Sequence, residues 1–175
     1  MNKIVNLRDL YIQQSRELYN ATAREISDLP KLEAEATSTE LKGIITRQIL
    51  KSMNQQVRIA EAMKEINASP DGEICVLTEN ILKQGLKNTT RAADPAARDA
   101  GIITSMQQLI HRKLAGFGTT SSFAREIGQE QSARTLHEAL IEAWEIDSAL
   151  SELAEEVINK LAKTTLEEEK QIENI

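Results

Sequence analysis

The chain predicts an all-α fold, an antiparallel four-helix bundle with an additional short helix. Apolar residues recur at three-, four- and seven-residue steps through most of the 175 residues, the spacing that lines one face of a helix. Turn-formers are scarce, with seven glycines and three prolines, so the elements are few and long. The breaks between them are short and carry cap or turn chemistry.

The first segment runs from about Leu7 to Ala36, with Leu7, Leu10, Tyr11, Leu18, Ile26 and Leu29 as its stripe. Pro30 lacks a backbone donor and clashes with the preceding turn, so a kink or a restart capped by Ser27 or Asp28 is expected there. Thr37 to Glu40 offers a capping box for the second helix. Its stripe of Leu41, Ile44, Ile45, Ile49, Ile59, Met63 and Ile66 is interrupted at core spacing by Gln48, Ser52 and Gln55. Ser69-Pro70-Asp71-Gly72 is a turn in which proline presets φ and glycine tolerates φ > 0.

A shorter third helix is expected from Ile74 to about Ala93. Asp94-Pro95 then supplies an N-cap followed by proline at the first helical position, and Gly128 stops the fourth helix after Ile127. Gly116 and Gly118 inside it either thin it for close packing or bend it. The fifth helix is expected from Glu130 to Lys163, with a seam of Ala133, Leu136, Leu140, Ala143, Asp147, Leu150, Ala154, Val157 and Leu161. Residues 1–163 thus form the bundle and 164–175 a charged C-terminal tail. Four helices of about 25 to 35 residues span roughly 40 to 50 Å each, and long striped helices joined by short loops pack antiparallel.

Composition narrows the function. A chain of 41% hydrophobic and 27% charged residues is an ordinary globular one. A formal charge of -6 with pI near 5.1 and no basic cluster argues against nucleic acid, whose phosphates need a concentrated basic face. Cys75 is the single cysteine, which excludes an intramolecular disulfide and a multi-cysteine zinc site. No apolar run approaches the 18 residues of a membrane span, and a cytoplasmic location is the expectation. The few aromatic residues are too dispersed for a base-stacking platform, and no Gly-x-Ser-x-Gly nucleophile elbow occurs.

Several segments together resemble one family. Leu18-Tyr19-Asn20-Ala21, Leu29-Pro30-Lys31-Leu32 and Ala36-Thr37-Ser38-Thr39-Glu40-Leu41-Lys42 are similar to the opening of the ferritin-like YciE/YciF family. Asp94 to Ala100, Ala115-Gly116-Phe117-Gly118-Thr119, and Cys75, Glu79 and Gly85 match further positions. The resemblance implies a ferritin-like bundle, homodimeric, associated with bacterial stress and uncharacterised in activity. It also implies carboxylates and histidines placed for a two-metal site. On this chain the helix-one glutamate falls on Thr22. Arg47 and Gln48 stand for the second helix's glutamate and histidine, and Leu50 and Lys51 for its second pair. Ile110-His111-Arg112-Lys113 replaces a Glu-His-x-Glu pattern. Glu138 and Glu142 remain in the last helix, while Ala143 replaces a further glutamate.

The residues can be read without the family. A bundle two-metal centre takes a glutamate from each of two helices and a Glu-x-x-His pair from each of the others. Gln108 stands three residues before His111 and Arg134 three before His137, so no Glu-x-x-His exists. The expectation is a degenerate site with no cofactor, in which Thr22, Gln48, Ser52, Gln55, His111 and Asp147 form a neutral polar layer. His111 reads as an interior hydrogen-bonded histidine, and Lys51 or Lys113 reaches Glu138 or Glu142 in place of a metal's charge. The function expected is that of a non-enzymatic protein acting by self-association or partner binding. The alternative is a metal-binding oxidoreductase or iron-handling protein with iron, manganese or zinc at the vestigial site.

Overall fold

The structure, a computed structural model, describes residues 3–72 and 75–163. Helix α1 spans Leu7–Glu35, α2 Thr39–Glu65, α3 Val76–Thr89, α4 Pro95–Glu126 and α5 Glu130–Leu153. Among the described residues there is no strand. Helices α1 and α2 form one hairpin and α4 and α5 the other; α1 also packs on α4 and α2 on α5, closing a four-helix ring. The short α3 lies against α1 and α4.

The helix starts follow side-chain chemistry. Asn6 accepts the Asp9 N–H at 3.0 Å to open α1, and Asp94 accepts the Ala97 N–H at 2.6 Å ahead of Pro95 to open α4. Gly128, at φ +80, ends α4 in a conformation that disfavours any residue with a Cβ. At α2 the cap is Ser38, not the expected Thr37: its side chain accepts the Leu41 N–H at 3.2 Å. Thr37 is drawn away by buried Asp99 of α4. That carboxylate receives the Thr37 N–H at 2.8 Å, the Thr37 hydroxyl at 2.6 Å and the Ser38 N–H at 2.8 Å. A contact between residues far apart in the chain overrides a local capping box.

Pro30 neither restarts nor ends α1, which runs unbroken to Glu35. The proline sits at an exposed position, where its ring meets no packed helix, and fully buried Leu29 and Leu32 hold the segment on the core. Cys75 caps α3, so that helix begins at Val76 rather than Ile74, and Ile74 lies outside the described residues. The tail expected over 164–175 lies outside them as well.

In α5 the seam holds through Leu150 and then shifts. A π-helical turn, Ala154–Ile158, is inserted before the helix continues to residue 163. Its hydrogen bonds close one residue later than those of an α-helix, which rotates the following side chains about the axis. Leu153 and Ile158 therefore take the buried positions, whereas Val157 and Leu161, expected on the seam, are exposed.

Two apolar clusters fill the ring. One gathers Leu29, Leu32, Leu41, Ile45, Met106, Ile110 and Leu150; the other gathers Tyr11, Leu18, Ile59, Met63, Phe117 and Leu136. Between them the inward stripes of α1, α2 and α4 turn polar: Glu25 between Leu18 and Leu29, Gln48, Ser52 and Gln55 between Ile45 and Ile59, Lys113 between Ile110 and Phe117. Gly116 lets α1 and α4 approach here, since a Cβ at that position would meet Leu18 Cδ2 at 2.6 Å. It thins the helix for packing. Gly118, with nothing near its missing Cβ, does not.

The π-turn assignment separates two neighbouring substitutions. Ile158→Ala is expected to lower unfolding stability by about 2–5 kcal/mol, as for a buried isoleucine. Val157→Ala should stay within about 0.5 kcal/mol. Urea denaturation of both variants checks this; a larger loss at Val157 would restore the uninterrupted seam.

Candidate functional site

The polar interruption closes into one network. The carboxylate of Glu25 on α1 meets the ammonium of Lys113 on α4 at 2.7 Å, with both side chains 1% exposed. The same oxygen, Glu25 Oε2, accepts the Ser52 hydroxyl at 2.7 Å and the Gln48 amide at 2.8 Å. The Lys113 ammonium also donates to Ser52 Oγ at 3.1 Å, and the Gln48 amide to that Oγ at 3.1 Å. Gln48 and Ser52 reach the site together because residues four apart share one helix face. Three helices thus meet at one oxygen.

Burial pushes the Lys113 pKa down from the usual lysine range, because a low-dielectric interior disfavours the charged form. The attraction and hydrogen bond of Glu25, and the charge of Glu142, oppose that, while Arg112 adds to the depression. The network joins one acidic and one basic side chain. Two buried amide oxygens beside it, Gln48 Oε1 and Gln55 Oε1, meet no protein donor.

A second set of contacts ties α2 to α5. Glu142 accepts the Gln55 amide at 3.1 Å and pairs with Arg58 at 2.9 Å. Lys51 pairs with Glu145 at 3.0 Å nearer the surface, so neither lysine hydrogen-bonds Glu138 or Glu142 as expected. Lys113 points to Glu25 instead, because α1 and not α5 presents the carboxylate at its level. Glu138 lies on an exposed face. His111 is not interior: its side chain is 64% exposed, and it meets Asp147 at 3.1 Å across the α4–α5 surface. Thr22 is buried, yet its hydroxyl returns to the Leu18 and Tyr19 carbonyls of its own helix at 3.1 and 2.8 Å. Of the named candidates the structure brings Gln48, Ser52 and Lys113 into one cluster. Glu142 stands beside it, and Thr22, Lys51, His111, Glu138 and Asp147 lie outside it.

Glu25 escaped the sequence reading, which carried the helix-one ligand position onto Thr22. A signal was present. Leu18, Thr22, Glu25 and Leu29 follow steps of four, three and four, placing the carboxylate on the apolar stripe. A carboxylate there needs a buried counter-charge.

The residues do not fit a two-metal centre. One carboxylate, one hydroxyl and one amide surround an ammonium, whereas two dications need several anionic oxygens converging from different helices. Among the described residues no group of three His, Cys, Asp or Glu side chains is placed to hold a metal ion. A dication set beside Lys113 would also be repelled by it in a dry site. Two open grooves lie on the bundle surface. A groove of about 280 Å³ between α1 and α2 is lined by Tyr19, Gln56, Val57, Ala60, Glu61 and Lys64, and one of about 210 Å³ between α1 and α4 by Glu17, Arg112 and Gly116 among others.

Four long helices around a polar centre, with a short helix laid across α1 and α4, define a ferritin-like bundle protein. The chain belongs to a domain family of unknown function (DUF892), whose model matches residues 6–163. It is similar to Protein YciF of Escherichia coli (strain K12), 28% identical over 159 residues that cover 90% of this chain and 95% of that one. The crystal structure of the E. coli stress protein YciF matches with a TM-score of 0.85 at 24% identity, over 90% of this chain and 99% of the other. YcfI from Rhodopseudomonas palustris, proposed to be a structural protein, matches with a TM-score of 0.81 at 25% identity, over 86% and 96%. The resemblance to the YciE/YciF family holds. Among the described residues no helix is long and apolar enough to cross a membrane.

The ion pair predicts a coupled response. Lys113→Met leaves the Glu25 carboxylate buried without a counter-charge and is expected to cost about 3–5 kcal/mol in urea unfolding, whereas Glu25→Leu/Lys113→Met should recover part of that loss. Recovery stays incomplete because Gln48 and Ser52 lose their acceptor. Strict additivity of the two substitutions would contradict the geometry described.

Proposed function

We propose that this protein is a non-enzymatic ferritin-like bundle that acts by self-association or by binding a protein partner, with the degenerate centre of its bundle serving structure rather than chemistry. The observation that carries the reading is the Glu25–Lys113 pair at 2.7 Å: the charge that a metal would bring to this carboxylate is supplied by the chain. In this buried pair the Glu25 oxygen already meets an ammonium, a hydroxyl and an amide donor, which is unlike an open coordination position. A role in stress is suggested by the relative described as a stress protein, and a scaffolding role agrees with the one proposed to be structural.

Elemental analysis of protein purified with iron, manganese and zinc in excess tests the reading. The expected result is far less than one equivalent of each, with a thermal midpoint indifferent to chelator. Stoichiometric metal lost on Glu25→Ala would instead favour the metal-handling alternative.

Self-association is supported by apolar side chains that the fold leaves in water. On α2 Leu50, Met53 and Val57 are exposed at steps of three and four, and on α5 Ile141 and Trp144 are exposed. Large apolar side chains exposed along one helix face in this way are a mark of interaction sites. Light scattering is expected to give the mass of a dimer, moved toward monomer by Met53→Lys/Val57→Lys at unchanged helicity. A monomeric mass at every concentration would remove this part of the proposal.

A further inference from the structure

We propose that the bundle centre is a binding site for one monovalent primary ammonium ion, and that the Lys113 side chain is its tethered occupant. The inference rests on the reading above that the chain supplies its own cation, and it names the ligand class of that site.

Three features of the centre select this ligand. The first is charge. The oxygen at the centre belongs to one carboxylate, Glu25, while the nearby Glu142 is engaged by Arg58 at 2.9 Å and by the Gln55 amide at 3.1 Å. A single positive charge balances Glu25; a dication leaves excess charge in a site whose side chains are 1% exposed. The second is hydrogen-bond type. An ammonium brings three donors and no acceptor. Glu25 Oε2 and Ser52 Oγ take two of them at 2.7 and 3.1 Å. Buried Gln48 Oε1, one turn from Ser52 on α2, is an acceptor without a protein donor. A guanidinium, whose planar fork seeks two parallel acceptors, matches a single carboxylate oxygen poorly.

The third feature is preorganisation. Glu25 Oε2 is held by the Ser52 hydroxyl and the Gln48 amide at 2.7 and 2.8 Å, two donors that α2 supplies in addition to Lys113. Truncating the lysine is therefore expected to leave these two donors and the Glu25 oxygen in place beside the buried volume that its methylenes filled. That is the shape and polarity of an alkylammonium site.

The test is chemical rescue. Lys113→Ala removes three methylenes and the ammonium, the outline of n-propylammonium. The urea midpoint of this variant is measured against increasing n-propylammonium chloride, with sodium chloride at equal ionic strength and n-butanol as controls. The expected result is a saturable rise with n-propylammonium alone, following ligand linkage, and none in wild type or in Glu25→Gln/Lys113→Ala. No rise with n-propylammonium, or an equal rise with n-butanol, overturns the proposal. Should Lys113→Ala not fold, Cys75→Ser/Lys113→Cys is alkylated in denaturant with bromoethylamine or with bromopropane and refolded. Recovery of the wild-type midpoint by the aminoethyl adduct only is expected, and equal behaviour of the two adducts refutes it. Stoichiometric transition metal in the wild-type protein would strike the underlying reading instead, so the two failures are distinguishable.

Discussion

The Glu25–Lys113 pair sits where the two apolar clusters of the bundle meet, and the rest of the structure is arranged to make it tolerable. A lone carboxylate or ammonium at 1% exposure would cost several kcal/mol and would shed its charge by shifting its pKa. At 2.7 Å each supplies the other's counter-ion, while Ser52 and Gln48 occupy the same oxygen from a third helix. Gly116 allows the backbones of α1 and α4 to come close at this level. The apolar layers above and below exclude water, which keeps the interaction strong.

Such a pair adds little net stability over an apolar core of equal volume, because desolvation offsets attraction. Its physical contribution is register. A slip of α4 against α1 would part the Lys113 ammonium from Glu25 and leave two buried groups without their partner. Apolar stripes alone tolerate such slips more readily, since Leu, Ile and Met interchange at modest cost. The polar layer makes one alignment of three helices much better than its neighbours. Asp99 does similar work at the end of the bundle, where it fixes the α1–α2 turn onto α4.

The relation to the wider family follows from the same physics. A long-helix bundle needs something at its centre to answer the carboxylates that a metal site employs. Here the Glu25 carboxylate is answered by a lysine. The backbone architecture shared with YciF, at a TM-score of 0.85, is thus compatible with a centre whose charge balance is met within the chain. The chemistry a fold hosts depends on the few side chains at such a point, not on the helices carrying them.

Much of this was legible in the residues. Helix positions, the Asp94–Pro95 start, the Gly128 stop and the polar break at Gln48, Ser52 and Gln55 depend on spacing and local chemistry, which a one-dimensional string records. The string misled where a distant partner wins. Thr37 looked like a cap but is drawn to Asp99, Pro30 looked like a break but is carried through on buried neighbours, and a π-turn moved the end of the α5 seam onto Ile158. The centre shows the same division. Sequence determined that neither His111 nor His137 has a glutamate three residues before it, because that is a matter of residue type and spacing. Only the packing of α1 against α4 decided that Glu25 is the buried acid, that Lys113 turns to it rather than to α5, and that His111 faces water. Helix rotation and inter-helix distance arise from side chains brought together across the chain, and no local pattern encodes them.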